Sequence, residues 1–267
     1  MTEWLGLPAL AATHGAQIDN LIGWIHVFML VLFVGWGAFF VYTLVRFRQS
    51  RHPVATYTGV KSHASSYLEV GVLVVELVLL FGFSIPLWAM RVDRIPAESE
   101  ALVVHVTGEQ FAWNVHYPGP DAKFGRTDLK LLDVQSNPLG LDRADPAAKD
   151  DVTTLNQLYL PVDKPIIVKL RSKDVIHSFG VPEFRVKQDA IPGLTIPIWF
   201  VPDVTTEEMR ARKGNPEFQY EIACAQLCGL GHYRMRGFVT VLNTDEFQKW
   251  IDEKIKEQTE TASDPFR

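Results

Sequence analysis

Cysteine is scarce in this chain. Its 267 residues hold two, Cys224 and Cys228, and both lie in one stretch of twelve. No C-x-x-C-H occurs, which excludes a fused domain with covalently held c-type haem. Lysine and arginine are missing from the first twenty residues. The apolar run that follows is therefore not a cleaved signal peptide, which needs a basic n-region and a shorter apolar core. Charge is nearly absent from two long runs, 21–45 and 66–90. Each is long enough to span a bilayer, for which a helix needs ~20 residues. The first holds no Asp, Glu, Lys or Arg, and the second holds only Glu69 and Glu76. The rest of the chain reads as water-soluble.

The loop between the runs carries Arg46, Arg48, Arg51 and Lys61. By the positive-inside rule it faces the cytoplasm, so both termini and the bulk of the chain lie on the outer side. The expected organisation is an outer segment 1–20, a two-helix transmembrane hairpin 21–92, a β domain 93–245, and a C-terminal helix and tail 246–267. From Leu102 onward short alternating runs are broken by Gly, Pro and Asp, the pattern of an all-β sandwich. L-V-V-H-V, F-A-W-N-V-H-Y, L-Y-L-P-V, I-I-V-K-L and F-V-T-V-L each read as a strand. The stretch 118–151, rich in Pro, Gly and charge, reads as a long surface excursion, either a cover over the sheet or a docking surface. His105 and His116 fall outside every motif and are expected to have no role; His26, in the first run, is expected to be structural. Residues 245–256 have helical spacing with Phe247, Trp250 and Ile251 on one side, and the last ten residues are expected to be disordered.

The two cysteines open the most informative segment, C-A-Q-L-C-G-L-G-H-Y-R-M, Cys224 to Met235. Thiolate, thioether and imidazole together select soft metals, and a methionine among them favours copper. Cys, His and Met on one loop is the arrangement of cupredoxins, where the loop before the last strand of a Greek-key sandwich supplies most ligands. A mononuclear site needs one cysteine. With two, four residues apart, both sulfurs can bridge two metals, with His232 and Met235 as end ligands and His177 of D-V-I-H-S-F as the remaining nitrogen. A sandwich of this topology brings remote strand ends together, so His177 can reach the loop. A Cys224–Cys228 disulfide is the alternative that an oxidising compartment permits. It explains neither His232, Met235 nor the glycines that open the loop. Zinc fits less well, because methionine is a poor zinc ligand.

These residues resemble subunit II of the haem-copper oxidases, the subunit that carries the binuclear copper centre CuA. The resemblance covers most of the chain and rests on three motifs in order: D-V-I-H-S-F, K-Q-D-A-I-P-G and the copper loop. It implies the ligand set His177, Cys224, Cys228, His232, Met235 and the backbone carbonyl of Gln226. It implies electron uptake through the segment G-E-Q-F-A-W-N-V-H-Y-P, with Phe111 where relatives commonly have tryptophan, and with Trp113 and Tyr117 matching; for these two the other reading is core aromatics. Asp174 matches an acid that attracts basic cytochrome c, an attraction that salt weakens. Glu69 matches the mouth of a proton pathway, although an interfacial residue reaching into headgroups is the other reading. Glu76 does not match, and as an acid within a span it is expected to face a partner on a neighbouring subunit. Gln226 stands where most relatives have a glutamate that also binds magnesium or manganese. A neutral amide is a weaker ligand for a hard cation.

The function implied is the electron-accepting subunit of a respiratory cytochrome c oxidase in a bacterial-type cytoplasmic membrane, with the copper domain on the periplasmic side. Its partners would be cytochrome c or a similar donor, membrane lipid, and the haem-bearing subunit I that reduces oxygen with proton pumping. No nucleic-acid partner is expected, and no catalytic residue lies in this chain. Two alternatives stand: the CuA subunit of a nitric oxide reductase, and a membrane-anchored cupredoxin that carries copper.

Overall fold

The computed structural model describes residues 5–55, 57–59 and 61–263. The chain divides into two compact units, 1–7 with 16–90, and 8–15 with 91–267.

Helix α1 spans Gly15–Arg46 and a second helical run spans Ala64–Val92, and their residues 16–46 and 64–90 belong to the first unit. Both are long and apolar enough to cross a membrane. Helix α1 begins six residues before the apolar run because hydropathy marks the length that lipid can surround, whereas backbone hydrogen bonding continues into the polar G-A-Q-I-D-N start. The second run comprises α2 (Ala64–Leu77), a π-helical stretch (Val78–Ser84) and α3 (Ile85–Val92). Pro86 has no N–H to offer the Gly82 carbonyl, and a widened turn is one way to absorb that loss. Glu69 and Glu76 both lie on α2 with exposed side chains. The His26 ring bonds the Ile22 carbonyl at 2.8 Å, within its own helix.

The second unit is a sandwich of two five-stranded sheets, β3-β2-β1-β5-β8 and β4-β10-β9-β6-β7. In chain order the strands are β1 (Leu102–Glu109), β2 (Ala112–Tyr117), β3 (Val152–Leu155), β4 (Gln157–Pro161), β5 (Ile166–Ser172), β6 (His177–Val181), β7 (Val186–Ala190), β8 (Ile196–Phe200), β9 (Tyr220–Cys224) and β10 (Arg236–Leu242). The pairs β1–β5 and β4–β10 are parallel, and the others are antiparallel. The core between the sheets is filled by Trp113, Tyr117, Phe179, Phe184, Phe200 and Tyr220 among the largest side chains. Asn156, at φ 57°, makes the corner from β3 to β4. Its side-chain oxygen accepts from Trp113 N at 2.8 Å, which fixes that strand where the chain changes sheet.

Strand β10 alternates in burial, as a sheet with one solvated face should. Strands β1 and β2 do not: both of their faces are covered. The outer cover is the excursion 118–151, which buries the two histidines expected to have no role. His105 and His116 face each other across the β1–β2 register. The His105 ring stacks on Phe124 at 3.6 Å and 7°. His116 Nε2 meets Asp151 Oδ2 at 2.7 Å, and that oxygen also accepts from Gly125 N at 2.8 Å. The pair thus clamps both ends of the excursion onto the sheet, a long-range role with no local trace in the sequence.

Burial, followed by the positive charges of Arg171, His116 and Lys169, lowers the His105 pKa to about 3. The folded state therefore binds fewer protons than the unfolded chain between about pH 3 and 6.5, so stability is full above 6.5 and is lost as pH falls. A His105→Phe variant keeps the stack on Phe124 and removes the titration. Between pH 7 and pH 4 its unfolding free energy should fall by ~2 kcal/mol less than that of the wild type, measured by denaturant titration at each pH.

The C-terminal helix α5 spans Thr244–Ser263, with Asp245 and Glu246 in its first turn, where acids suit the helix dipole. Phe247 and Ile251 are buried, and Trp250 stacks on Tyr159 at 4.3 Å. The expectation of disorder from residue 258 is corrected here. Gln258 donates to Thr153 O at 2.9 Å and accepts from Thr153 N at 3.3 Å, so its amide caps the edge of β3 and carries the helix onward. Residues 264–267 lie outside the described residues.

Candidate metal centre

Three strands of one sheet position the donors. Strand β6 starts at His177, and β9, its neighbour, ends at Cys224. The loop from Ala225 to Met235 then returns the chain into β10, which pairs with β9 from Arg236 opposite Ala223. The loop is short and its two ends are adjacent, so its donors converge on the end of β6.

Cys224 Sγ lies 3.8 Å from Cys228 Sγ and 4.0 Å from His177 Nδ1. Cys228 Sγ lies 3.7 Å from His232 Nδ1 and 3.6 Å from Met235 Sδ. The Gln226 carbonyl oxygen is 3.3 Å from Cys224 Sγ. Both cysteines are free thiols. His177 is fully buried, and Cys228 and Met235 nearly so. Donors bonded to one metal at ~2.0–2.3 Å, at tetrahedral angles, are separated by ~3.6 Å. The cysteine, histidine and methionine spacings meet that requirement. The donor set, two thiols, two imidazoles and a thioether, suits copper. Among the described residues His177, Cys224 and Cys228 also stand out as a group whose donor atoms lie within 4.8 Å of one another.

Residues 102–241 match the family described as cytochrome c oxidase subunit II, periplasmic domain. The chain belongs to the cytochrome c oxidase subunit II family. It is 33% identical over 257 residues to the alternative cytochrome c oxidase subunit 2 of Bradyrhizobium diazoefficiens, a match covering 95% of this chain and 85% of that protein. It is 28% identical over 265 residues to cytochrome c oxidase subunit 2 of Cereibacter sphaeroides, covering 93% and 79% of the two chains. A solved periplasmic domain of cytochrome oxidase subunit II from Bradyrhizobium japonicum is 29% identical, covering 61% of this chain and 99% of that one, with a TM-score of 0.42. Two apolar N-terminal helices and a copper-binding, cupredoxin-like β domain make this subunit II a membrane-anchored part of an electron-transport oxidase.

Burial, then the hydrogen bond and charge of Cys224, push the Cys228 thiol up to about 11. Without metal it holds its proton at neutral pH, so metal uptake by this subunit II releases protons. Asp174 Oδ1 accepts from His177 Nε2 at 2.8 Å, while Oδ2 accepts from Gln110 N at 2.7 Å. Burial opposes ionisation of Asp174, yet the bonds from His177, Gln110 and Val175 hold its carboxyl below the ordinary value.

The aromatic segment divides. Phe111, at the β1–β2 turn, lies against the loop glycines Gly229 and Gly231. Trp113 is fully buried, with its ring 6.0 Å from that of His177 and 5.8 Å from Phe179. Tyr117 points elsewhere: its hydroxyl accepts from Tyr159 N at 2.7 Å, and its ring packs 5.3 Å from Trp250. Glu69 belongs to the other unit. The Gln226 side chain is exposed.

Two residues of the site escaped the sequence reading. Gln110 donates its side-chain amide to Cys228 O at 2.6 Å, tying the β1–β2 turn to the copper loop. Gly108 lies under His177, where an added Cβ would come 2.9 Å from the ring. Their only sequence signal is membership of the segment G-E-Q-F-A-W.

At Gly231 an added Cβ would fall 2.4 Å from the Phe111 ring, closer than such atoms approach. Gly231→Ala should therefore displace Phe111 or the loop, at a cost of ~1–3 kcal/mol in thermal unfolding, and release copper faster to a chelator. Combining it with Phe111→Ala should recover most of the copper retention.

Proposed function

We propose that this subunit II holds a binuclear CuA centre and passes electrons from cytochrome c, or a similar c-type donor, to the haem-bearing subunit I of its oxidase. The observation that carries the reading is the convergence of two thiols, two imidazole Nδ1 atoms and one thioether, with neighbouring donors 3.6–4.0 Å apart. Cys224 and Cys228 would bridge the metals, His177 and His232 would each end one imidazole on a metal, and Met235 and the Gln226 carbonyl would complete the set. When bound, such a pair supplies a one-electron relay. The chain's own contribution is to hold the donors rigidly, to bury them from water and to keep one route open at the surface. His177 and Met235 are shielded by the sandwich, whereas His232 and Cys224 are only half-buried.

Electron uptake is assigned to Phe111 and Trp113, the aromatics beside the loop and His177, with Asp174 near the surface where a basic donor would dock. Tyr117 is given a core role in this proposal. Glu69 is assigned to proton delivery, in the orientation that places the Arg46–Lys61 loop in the cytoplasm and the copper domain in the periplasm. Any further cation at Gln226 would have a neutral amide where most relatives offer a carboxylate.

Electron paramagnetic resonance of the copper-loaded full chain in detergent tests the centre. A seven-line hyperfine pattern, from one electron shared by two coppers, is the expected result. A four-line pattern from a single copper would overturn it and favour a copper carrier.

A further inference from the structure

The copper reading treats the two histidines alike, yet their surroundings differ. His177 turns Nδ1 toward Cys224 Sγ. If Nδ1 is the nitrogen that faces metal, the ring proton resides on Nε2, and that atom lies 2.8 Å from Asp174 Oδ1. The carboxylate is itself fixed. It accepts from Gln110 N at 2.7 Å and from Val175 N at 2.7 Å, and the Gln110 side chain reaches on to Cys228 O. His232 turns Nδ1 toward Cys228 Sγ in the same way, but among the described residues its Nε2 has no protein partner. One imidazole is therefore backed by a full negative charge and the other is not.

The geometry points to Asp174 as a positioning residue that orients His177, fixes its tautomer, and makes the two coppers electronically unequal. This rests on the CuA reading and deepens it. A carboxylate that accepts from a ligating imidazole raises its basicity and tightens the metal it binds. Extra negative charge on one ligand favours the oxidised pair over the reduced one, so it lowers the reduction potential. The same carboxylate holds the Gln110 backbone, so the β1–β2 turn bearing Phe111, the start of β6 and the copper loop share one anchor. Docking alone would not require this: a side chain that only attracts a donor has no need to accept three hydrogen bonds from the frame of the metal site.

The test is Asp174→Asn in the full chain, which keeps an acceptor oxygen and removes the charge. With copper bound, the seven-line signal should persist with a changed hyperfine splitting. The reduction potential should rise until the oxidised-to-reduced ratio at a fixed potential has fallen about tenfold, ~59 mV for a one-electron couple. Asp174→Glu, which restores the charge, should recover at least part of the shift. An unchanged potential and hyperfine splitting in the Asn variant, with loss confined to the KM for cytochrome c and abolished by salt, would overturn the inference and leave a docking residue. Should the Asn variant fail to load copper, the wild type decides by proton NMR. One imidazole N–H should exchange with deuterium much more slowly than the other, and two equally fast exchanges would overturn the inference. A wild type without a seven-line signal would remove the CuA reading itself, an outcome distinct from these.

Discussion

A Cys228→Ser variant should lose the seven-line copper signal altogether. Cys228 Sγ is the most connected donor in the site, 3.8 Å from Cys224 Sγ, 3.7 Å from His232 Nδ1 and 3.6 Å from Met235 Sδ. A hydroxyl in its place is a harder donor that stays protonated, so it bridges no soft metal. The remaining donors then divide into His177 with Cys224 on one side and His232 with Met235 on the other. Either one copper binds, giving four lines, or none does. Electron uptake from reduced cytochrome c by the assembled oxidase should fall at least ~100-fold, equivalent to ~2.7 kcal/mol in the barrier. Cys228 is nearly buried and similar in size to serine, so the fold should survive and the circular dichroism spectrum should match the wild type. A variant that kept the seven lines would show that Cys228 is not a bridge.

The largest loss of stability is expected from Trp113→Ala. The ring is fully buried between the sheets and meets His177 at 6.0 Å and Phe179 at 5.8 Å, edge to face in both cases. Emptying that volume should cost ~3–5 kcal/mol. In a domain of this size the thermal midpoint should drop by ~10 °C or more. The same cavity removes the wall behind His177, so copper retention against a chelator should fall with stability. Trp113→Phe is the control. Among the described residues the indole Nε1 has no hydrogen-bond partner, so its loss strands no acceptor there, and the smaller ring retains most of the packing. The Phe variant should lose less than half as much stability as the Ala variant. If both lose equally, the indole nitrogen is bonded to something other than this chain.

How legible the site was depends on the distance over which each part acts. The copper loop could be read directly, because four of its positions, Cys224, Cys228, His232 and Met235, carry the chemistry in residue type and all lie within twelve residues. His177 needed the resemblance, or the topology of a sandwich, to be joined to it: β6 and β9 are neighbours in the sheet but lie far apart in the chain. Gln110 was invisible. Its bond to Cys228 O spans 118 residues and its bond to Asp174 spans 64, and a lone glutamine beside an aromatic carries no periodic signal. Gly108 could be read only as part of a strand, although its lack of a Cβ is what lets the His177 ring lie over it. Tyr117 matched the aromatic segment in sequence, yet it sits four residues from Trp113 with its ring against α5 rather than the metal site.

The sequence by itself determined the two membrane helices, the β class of the domain and the donor types of the metal site. Lipid requires an unbroken apolar length, a half-solvated sheet requires alternation, and soft metals require sulfur and imidazole, so each leaves a local pattern. The tertiary structure alone decided which glycines must be bare, and that the excursion 118–151 is a cover pinned by His105, His116 and Asp151. It also decided that α5 runs on past Lys256, where Gln258 occupies the edge of β3. These features depend on which surfaces meet when the sheets close, and a contact between residues remote in the chain places no constraint on the neighbours of either one.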